Sequence, residues 1–381
     1  MIKRSFLLIL IIIVLSINSC IKGTYNMNML LKQAQLSPTL AISAVKGDVS
    51  FIDMVKASDT VTFDQNKLVI LVFKKDSVVD LKLSDFSKGT VIYKTATITP
   101  GNFDLNIHDV LSHITGDILF SNPSIKFNYT NSFPDSVKIS LIASGTRVNK
   151  SENLNVAPFS LAVPNIPVQQ QVTSSFIIDK TNSNLQNLIS LPPEVISYSG
   201  TVTLRTSVKS GKADNFVIGS NQLLGSLELE IPLELKVNNL QYTDTVDNFL
   251  KSKGDDNPVN PEDFQFLRIN FFAKNGFPLG ASLKMSLFNS SDSTIKSTVT
   301  ADGILDPAPV DSNGKATGVA ESSTTIEFTK EFFGQINKAD KIIFWFTLNS
   351  PGSGSQEVKI YSDYRINFNA ALVVKPVINL N

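Results

Sequence analysis

The chain has 381 residues, long enough for two or three domains with sizeable cores. Its 34 basic and 34 acidic residues cancel, with no basic stripe or acidic tail, which argues against nucleic acid and anionic lipid surfaces as electrostatic partners. Two His and one Cys leave little for acid–base work near neutral pH or for a transition-metal site, while 25 Phe among many Ser, Thr, Val and Ile suit strands separated by polar turns.

Lys3 and Arg4 precede an unbroken run from Phe6 to Ile17, apolar except for Ser16. That is the length of a signal-peptide core and too short to span a hydrocarbon layer of ~30 Å. The run closes on Leu15-Ser16-Ile17-Asn18-Ser19-Cys20, and Cys20 is the only cysteine. This arrangement resembles the bacterial lipobox, with Ile17 where Leu is usual and a less usual Asn18. The resemblance implies that residues 1–19 are removed and that Cys20 carries the lipid. Each buried acyl CH₂ contributes about 0.8 kcal/mol, so two or three chains anchor a protein stably. No later window offers eighteen apolar residues, so no spanning helix is expected after the anchor. With Cys20 acylated, no disulfide forms within the chain. Ile21 and Lys22 follow, with neither an Asp at the second mature position nor an acidic export cluster. By analogy with enterobacterial and Bacteroidetes lipoproteins, this implies the outer membrane, with the periplasmic face expected over the surface.

Residues 20–35 read as a tether, and residues 36–104 as a small N-terminal β module. Within it, Ser37-Pro38-Thr39-Leu40-Ala41-Ile42 leads into Val49-Ser50-Phe51-Ile52-Asp53-Met54-Val55, and Asp64 to Lys67 turns the chain between two β-rich runs, predicting a hairpin. Ser37 to Phe73 resembles uncharacterised Bacteroidetes lipoproteins, which open with a similar run, a short helix and a hairpin. That resemblance implies no activity.

An internal duplication follows. Ile125-Lys126-Phe127-Asn128-Tyr129-Thr130-Asn131-Ser132-Phe133-Pro134 is matched by Ile269-Asn270-Phe271-Phe272-Ala273-Lys274-Asn275-Gly276-Phe277-Pro278. In each, alternate residues are apolar, Asn-x-Phe-Pro turns the chain, and alternation resumes at Val137 and Leu283. Side chains two apart share a face of a strand, and Pro cannot donate to a ladder, so Pro134 and Pro278 belong at turns. Each copy then has a helix-like piece, near Asn184–Ser190 and Lys330–Lys338, and a β run, Val195–Leu204 and Lys341–Leu348. Each ends in a long alternating strand, Ser226–Val237 and Tyr364–Lys375. Two homologous domains are therefore expected, 105–245 and 246–381, joined across the polar stretch Lys251–Asp263. The fold class expected is mainly β, with tandem β-sandwich-like domains each carrying one short helix. The alternative is a curved sheet around a helix, as in tubular lipid-binding domains. Asn122-Pro123 and its alternating sequel also faintly resemble the water-stress LEA-like sandwich.

Chemical signatures are few. His108 and His113, near Asp109 and Asp117, would diverge by about 140° on a helix, which disfavours zinc; Asp109 suits a helix cap. Asp255, Asp256, Asn257, Glu262 and Asp263 match no calcium loop and read as solvated linker, and Asp311-Ser312-Asn313-Gly314 reads as a turn. There is no Gly-x-Ser-x-Gly, and Gly314-Lys315-Ala316-Thr317 lacks the earlier glycine of a phosphate loop. Glu228 and Glu230 fall on a strand face expected to be solvated. Asp59-Thr60-Val61, Asp76-Ser77-Val78, Asp135-Ser136-Val137, Asp244-Thr245-Val246 and Asp292-Ser293-Thr294 resemble the Bacteroidetes O-glycosylation acceptor. The functional expectation is a non-enzymatic lipoprotein of the cell envelope with a binding or scaffolding role. No catalytic residue, cofactor or metal is expected, and its contacts are the membrane, through Cys20, and a protein or apolar ligand. The alternatives are a lipid or apolar-ligand carrier and a surface adhesin.

Overall fold

The computed structural model describes residues 35–36, 39–54, 60–82, 91–105, 114–134, 136–147, 150–165, 170–207, 221–248, 264–376 and 378–379. Cys20, His108, Asp109, His113 and the 251–263 stretch lie outside the described residues. The chain divides into two compact units, and one is inserted into the other. Among the described residues, the host unit comprises those within 35–54, 114–116 and 237–379, and the inserted unit those within 60–105 and 117–236.

In chain order, the host contributes β1 (Leu40–Ser50) and the short α1 (Phe51–Met54). The inserted unit follows with β2 (Val61–Phe63), β3 (Val69–Lys82), β4 (Val91–Asp104), β5 (Ser124–Asn131) and β6 (Val137–Arg147). It continues with β7 (Val172–Ile178), α2 (Leu185–Ser190), β8 (Val195–Ser207) and β9 (Gln222–Pro232). The host resumes with β10 (Glu234–Asp247), β11 (Phe264–Asn275), β12 (Gly280–Asn289) and β13 (Thr294–Leu305). It closes with β14 (Ala320–Phe328), α3 (Lys330–Ile336), β15 (Lys341–Asn349) and β16 (Arg365–Pro376).

Each unit is a pair of antiparallel sheets around a core. In the inserted unit one sheet runs β7-β5-β9-β3-β2, and the other contains β6-β8-β4. In the host one sheet runs β14-β11-β16-β1, and the other runs β13-β12-β15-β10. The two units thus use the same strand order. β3 and β4 of the inserted unit take the positions of β1 and β10 in the host, and the inserted unit lies in the chain between those two host strands. A β-sandwich-like fold is what the structure contains, and the helices fall at the expected places.

The expected division of the chain differs at both ends. Residues 36–104 do not form a module of their own. β1 pairs with β16 in the host, whereas β3 pairs with β9 and β4 with β8 in the inserted unit. These strands lack a separate core, and their apolar alternation is satisfied only by distant partners. The expected strand 226–237 is also interrupted. Leu233 leaves the alternation as its N–H donates to the Val69 carbonyl at 2.8 Å. From Leu240 the chain pairs with β15, so the unit boundary falls at 236/237 rather than 245.

Alternation explains the cores. In the inserted unit Ile125, Phe127 and Tyr129 of β5 face inward with Ile139 and Leu141 of β6, all fully or almost fully buried. Leu185, Leu188 and Ile189 of α2 complete the same cluster. In the host, Met285 and Leu287 of β12 share a core with Ile326 of β14 and Phe332 and Ile336 of α3. Full burial of each such side chain contributes about 1.5–3 kcal/mol. Thr329 caps α3, its hydroxyl accepting the Phe332 N–H at 3.3 Å. Asn184, before α2, is committed otherwise: its amide donates to Glu152 Oε1 and the Asn153 carbonyl, both at 2.9 Å.

Two turns repeat one design. Asp64 Oδ1 accepts the N–H groups of Asn66 (2.8 Å) and Leu68 (2.7 Å), which closes the expected hairpin between β2 and β3. Asp311 Oδ1 accepts those of Asn313 and Lys315, both at 2.9 Å. The fourth residue of each turn is left-handed, Lys67 at φ 71° and Gly314 at φ 79°. A Cβ on Gly314 would also stand 2.7 Å from the Glu357 carbonyl oxygen. Gly314→Ala is therefore expected to lower stability by about 1–3 kcal/mol. Lys67→Gly is expected to raise it by up to about 1 kcal/mol, because the strain exceeds the entropy cost of glycine. Urea unfolding of both variants checks the opposite signs.

Candidate functional site

The strand faces that do not line a core carry the residues with chemistry. On the inserted unit, β3, β9 and β5 place Lys74, Glu228 and Lys126 directly opposite one another. Glu228 lies 3.0 Å from Lys74 Nζ and 3.7 Å from Lys126 Nζ, and Glu230 lies 2.5 Å from Lys126 Nζ. The Glu228 side chain is only 17% exposed, so the expected solvated carboxylate pair is instead bound into a cross-strand ladder. These two are held by ammonium groups. The host repeats the device, with Arg268–Glu327 at 2.7 Å and Lys274–Glu321 at 2.6 Å, again across from each other on β11 and β14.

Burial opposes ionisation of Glu228, but the Lys74 hydrogen bond, Glu230 and the nearby ammonium charges outweigh it and hold the carboxyl below its ordinary value. The Glu228 hydrogen bond raises Lys74 in turn. A carboxyl lowered by folding stabilises the fold above its unfolded pKa of about 4.3, and that contribution is lost as pH falls through the folded value. Glu228→Gln is expected to flatten the acid limb of a stability–pH curve and leave its shape near neutrality unchanged. An identical acid limb in the variant would refute this assignment.

Asp117 is exposed in the strand Ile114–Phe120. Asp311 to Gly314 is a turn, as expected, and borders an open depression of about 550 Å³ with Gln356, Glu357 and Lys359. Tyr364 steadies this turn, its hydroxyl accepting the Ala316 N–H at 2.8 Å; burial pushes the phenol up to about 12. No group of three or more His, Cys, Asp or Glu able to hold a metal occurs among the described residues. No helix among them is long and apolar enough to cross a membrane. Of the acceptor-like tripeptides, Ser77, Thr245 and Ser293 are all exposed, and Ser77 and Ser293 share the left-handed φ of 54°. A second open depression, about 400 Å³, lies where β4, β6 and β8 run side by side, lined by Asn102, Ile142, Ser144, Ser197 and Ser199.

Sequence reading missed one surface. On the host sheet β13-β12-β15-β10, one row places Thr243, Trp345, Lys284 and Thr300 directly opposite one another on successive strands. The next row holds Thr245, Ile343, Ser286 and Thr298. Opposed residues share a face, and this face is the one away from Met285 and Leu287. Trp345 is half-buried, and Lys284 Nζ stands 4.7 Å from its ring centroid. Ser286, fully buried, bonds Thr298 through their hydroxyls at 2.7 Å. The only signal in the sequence was that Trp345 is the sole tryptophan; its neighbours come from strands far apart in the chain.

No protein-family model matches this chain, and no curated protein matches it in sequence. Among solved structures, a Parabacteroides distasonis ATCC 8503 protein inferred to be secreted aligns over 88% of this chain and 99% of its own, at 15% identity and a TM-score of 0.47. The VP2 subviral particle of infectious bursal disease virus aligns over 93% of this chain and 74% of its own, at 8% identity and a TM-score of 0.18. Likenesses at these values carry no argument about what this chain does.

Proposed function

We propose that the chain is a lipid-anchored protein of the bacterial cell envelope whose two β-sandwiches form a non-catalytic binding or scaffolding module. The observation that carries this reading is Cys20, the sole cysteine, standing directly after the apolar run Phe6–Ile17. The module reading is supported by the commitment of Glu228 and Glu230 to lysine partners. An extracytoplasmic location follows from the signal-peptide reading, and the residues after Cys20 favour the outer membrane with a periplasmic orientation. The shared strand order supports descent of both units from one duplicated sandwich.

The test is detergent-phase partitioning and intact mass of the full chain from a bacterial host. The wild type is expected in the detergent phase with the mass of an acylated protein beginning at Cys20. Cys20→Ser is expected to remain unprocessed and unacylated. A wild type in the aqueous phase, without added lipid mass, would overturn the reading.

A second reading, carriage of an apolar ligand, is favoured by one contrast. Phe271, the counterpart of the fully buried Phe127, is only half-buried, as are Phe344, Phe346 and Phe368. Leu40 and Ile42 on β1 are 48% and 47% exposed. Native mass spectrometry that releases a lipid on collision would favour the carrier; a clean apo mass would favour the scaffold.

A further inference from the structure

We propose that the Trp345 face of the host unit is a saccharide-binding platform, and that it takes a sugar bearing an acidic group. The inference rests on the binding-module reading and names its ligand class.

Three observations on described residues carry it. The first is how the polar groups are used. On the other sheet of the host and on the inserted unit, Lys74, Arg268 and Lys274 face carboxylates at 2.6–3.0 Å, and on the Trp345 sheet itself Lys341 meets Asp247 at 2.6 Å, while Lys75, Lys138 and Lys150 are exposed with no carboxylate partner among the described residues. Around Trp345 neither row contains an acidic residue, and Lys284 faces an indole instead. Its ammonium is an exposed cation without an anionic partner among the described residues.

The second is what stands unengaged. The indole N–H of Trp345, the hydroxyls of Thr243 and Thr300, and the Lys284 ammonium make no hydrogen bond to the described protein. An indole usually finds a partner for its N–H when it is buried. These groups form one row across four strands, about 4.7–4.9 Å apart from strand to strand. A pyranose ring spans roughly one such interval.

The third is the mixture of chemistries. A sugar has an apolar face of C–H bonds and a rim of hydroxyls that both donate and accept. An aromatic face carries negative potential and receives polarised C–H groups, and threonine hydroxyls can donate or accept. An apolar ligand would leave the threonines unpaired, and a peptide strand needs a free sheet edge, whereas β12 and β15 are interior strands. A carboxylate or sulfate gives Lys284 its charge partner. The four-carbon stem lets the ammonium swing from the ring centre to the sugar's acidic group as the ring takes its place.

The experiment uses the full chain in detergent micelles. Probes are polygalacturonate, alginate, chondroitin sulfate and heparin, with neutral dextran as control. Affinity gel electrophoresis reads binding, and quenching of Trp345, the only tryptophan, reports its place. Retardation by at least one acidic polymer, with quenching and weakening in high salt, is expected. Trp345→Ala should reduce affinity by about tenfold or more, and Trp345→Phe should keep part of it. Lys284→Met should abolish the preference over dextran. A melting curve like that of the wild type keeps Trp345→Ala informative; otherwise Trp345→Phe and Lys284→Met decide.

No retardation by any of the four polymers overturns the proposal. So does retardation that Trp345 and Lys284 variants leave unchanged, which nevertheless preserves the binding-module reading. Equal affinity for dextran refutes the acidic sugar. Shortening of a polymer during the assay would instead overturn the non-catalytic reading.

Discussion

Phe127→Ala is expected to lower the stability of the inserted unit by about 3–5 kcal/mol, the range for removing a buried aromatic and leaving a cavity. Phe127 is fully buried. Its ring stacks near Tyr129 at 6.1 Å and meets Phe159 edge-on at 6.0 Å. It also covers Gly225, where a Cβ would stand 2.8 Å from Phe127 Cζ. Glycine at 225 is thus part of the ring's seat, and collapse onto the vacated space would need strand β9 to shift. Urea unfolding followed by far-UV circular dichroism checks the loss. Trp345 lies in the host, so its fluorescence reports the host alone, and its transition is expected to move less than the dichroism. A variant within about 1 kcal/mol of wild type would mean that the core repacks freely, against the close packing of interiors.

Asn275→Ala is expected to cost about 2–4 kcal/mol, and Asn131→Ala somewhat less, because orphaned buried polar groups cost about 1–3 kcal/mol each. Both asparagines are fully buried. Asn275 Nδ2 donates to the carbonyls of Leu279 and Asp306, both at 2.8 Å, and its Oδ1 accepts the Phe277 N–H at 2.9 Å. Asn131 repeats the last contact with Phe133 at 3.0 Å but donates to a single carbonyl, that of Ala162, at 2.9 Å. Alanine strands three backbone groups in one case and two in the other. Hydrogen exchange at the Phe277 and Phe133 amides gives a local check, with faster exchange expected in each variant. Equal costs at the two positions would contradict the bond count.

These two turns show how far the sequence carries. The repeated Asn-x-Phe-Pro was legible as a turn, since Pro and Asn are turn formers and the flanking alternation is plain. Why each element is there was not legible. Asn holds the second backbone N–H after it; fully buried Phe133 belongs to the core of the inserted unit, and almost fully buried Phe277 packs edge-on to Tyr364 at 5.7 Å. The Asp64 and Asp311 turns, α2, α3 and most long strands were likewise readable, because their causes are local: side-chain to backbone hydrogen bonds, the Thr329 cap of α3, and periodic apolar residues.

The sequence by itself determined which face of each strand is apolar and where the chain turns. It also singled out Cys20, the sole cysteine, as the residue proposed to carry lipid. Tertiary structure alone decided strand partnership. Alternation states that a strand needs a covered face and is silent on who covers it. Residues 40–50 therefore joined β16 more than 300 positions later, and residues 69–82 joined β9. The same pairing set Lys74 and Lys126 on either side of Glu228, on a face that the sequence reading expected to be solvated. It also brought Thr243, Trp345, Lys284 and Thr300 into one row from four strands. Register is a long-range choice made by the summed fit of two cores, and no local run of residues encodes it.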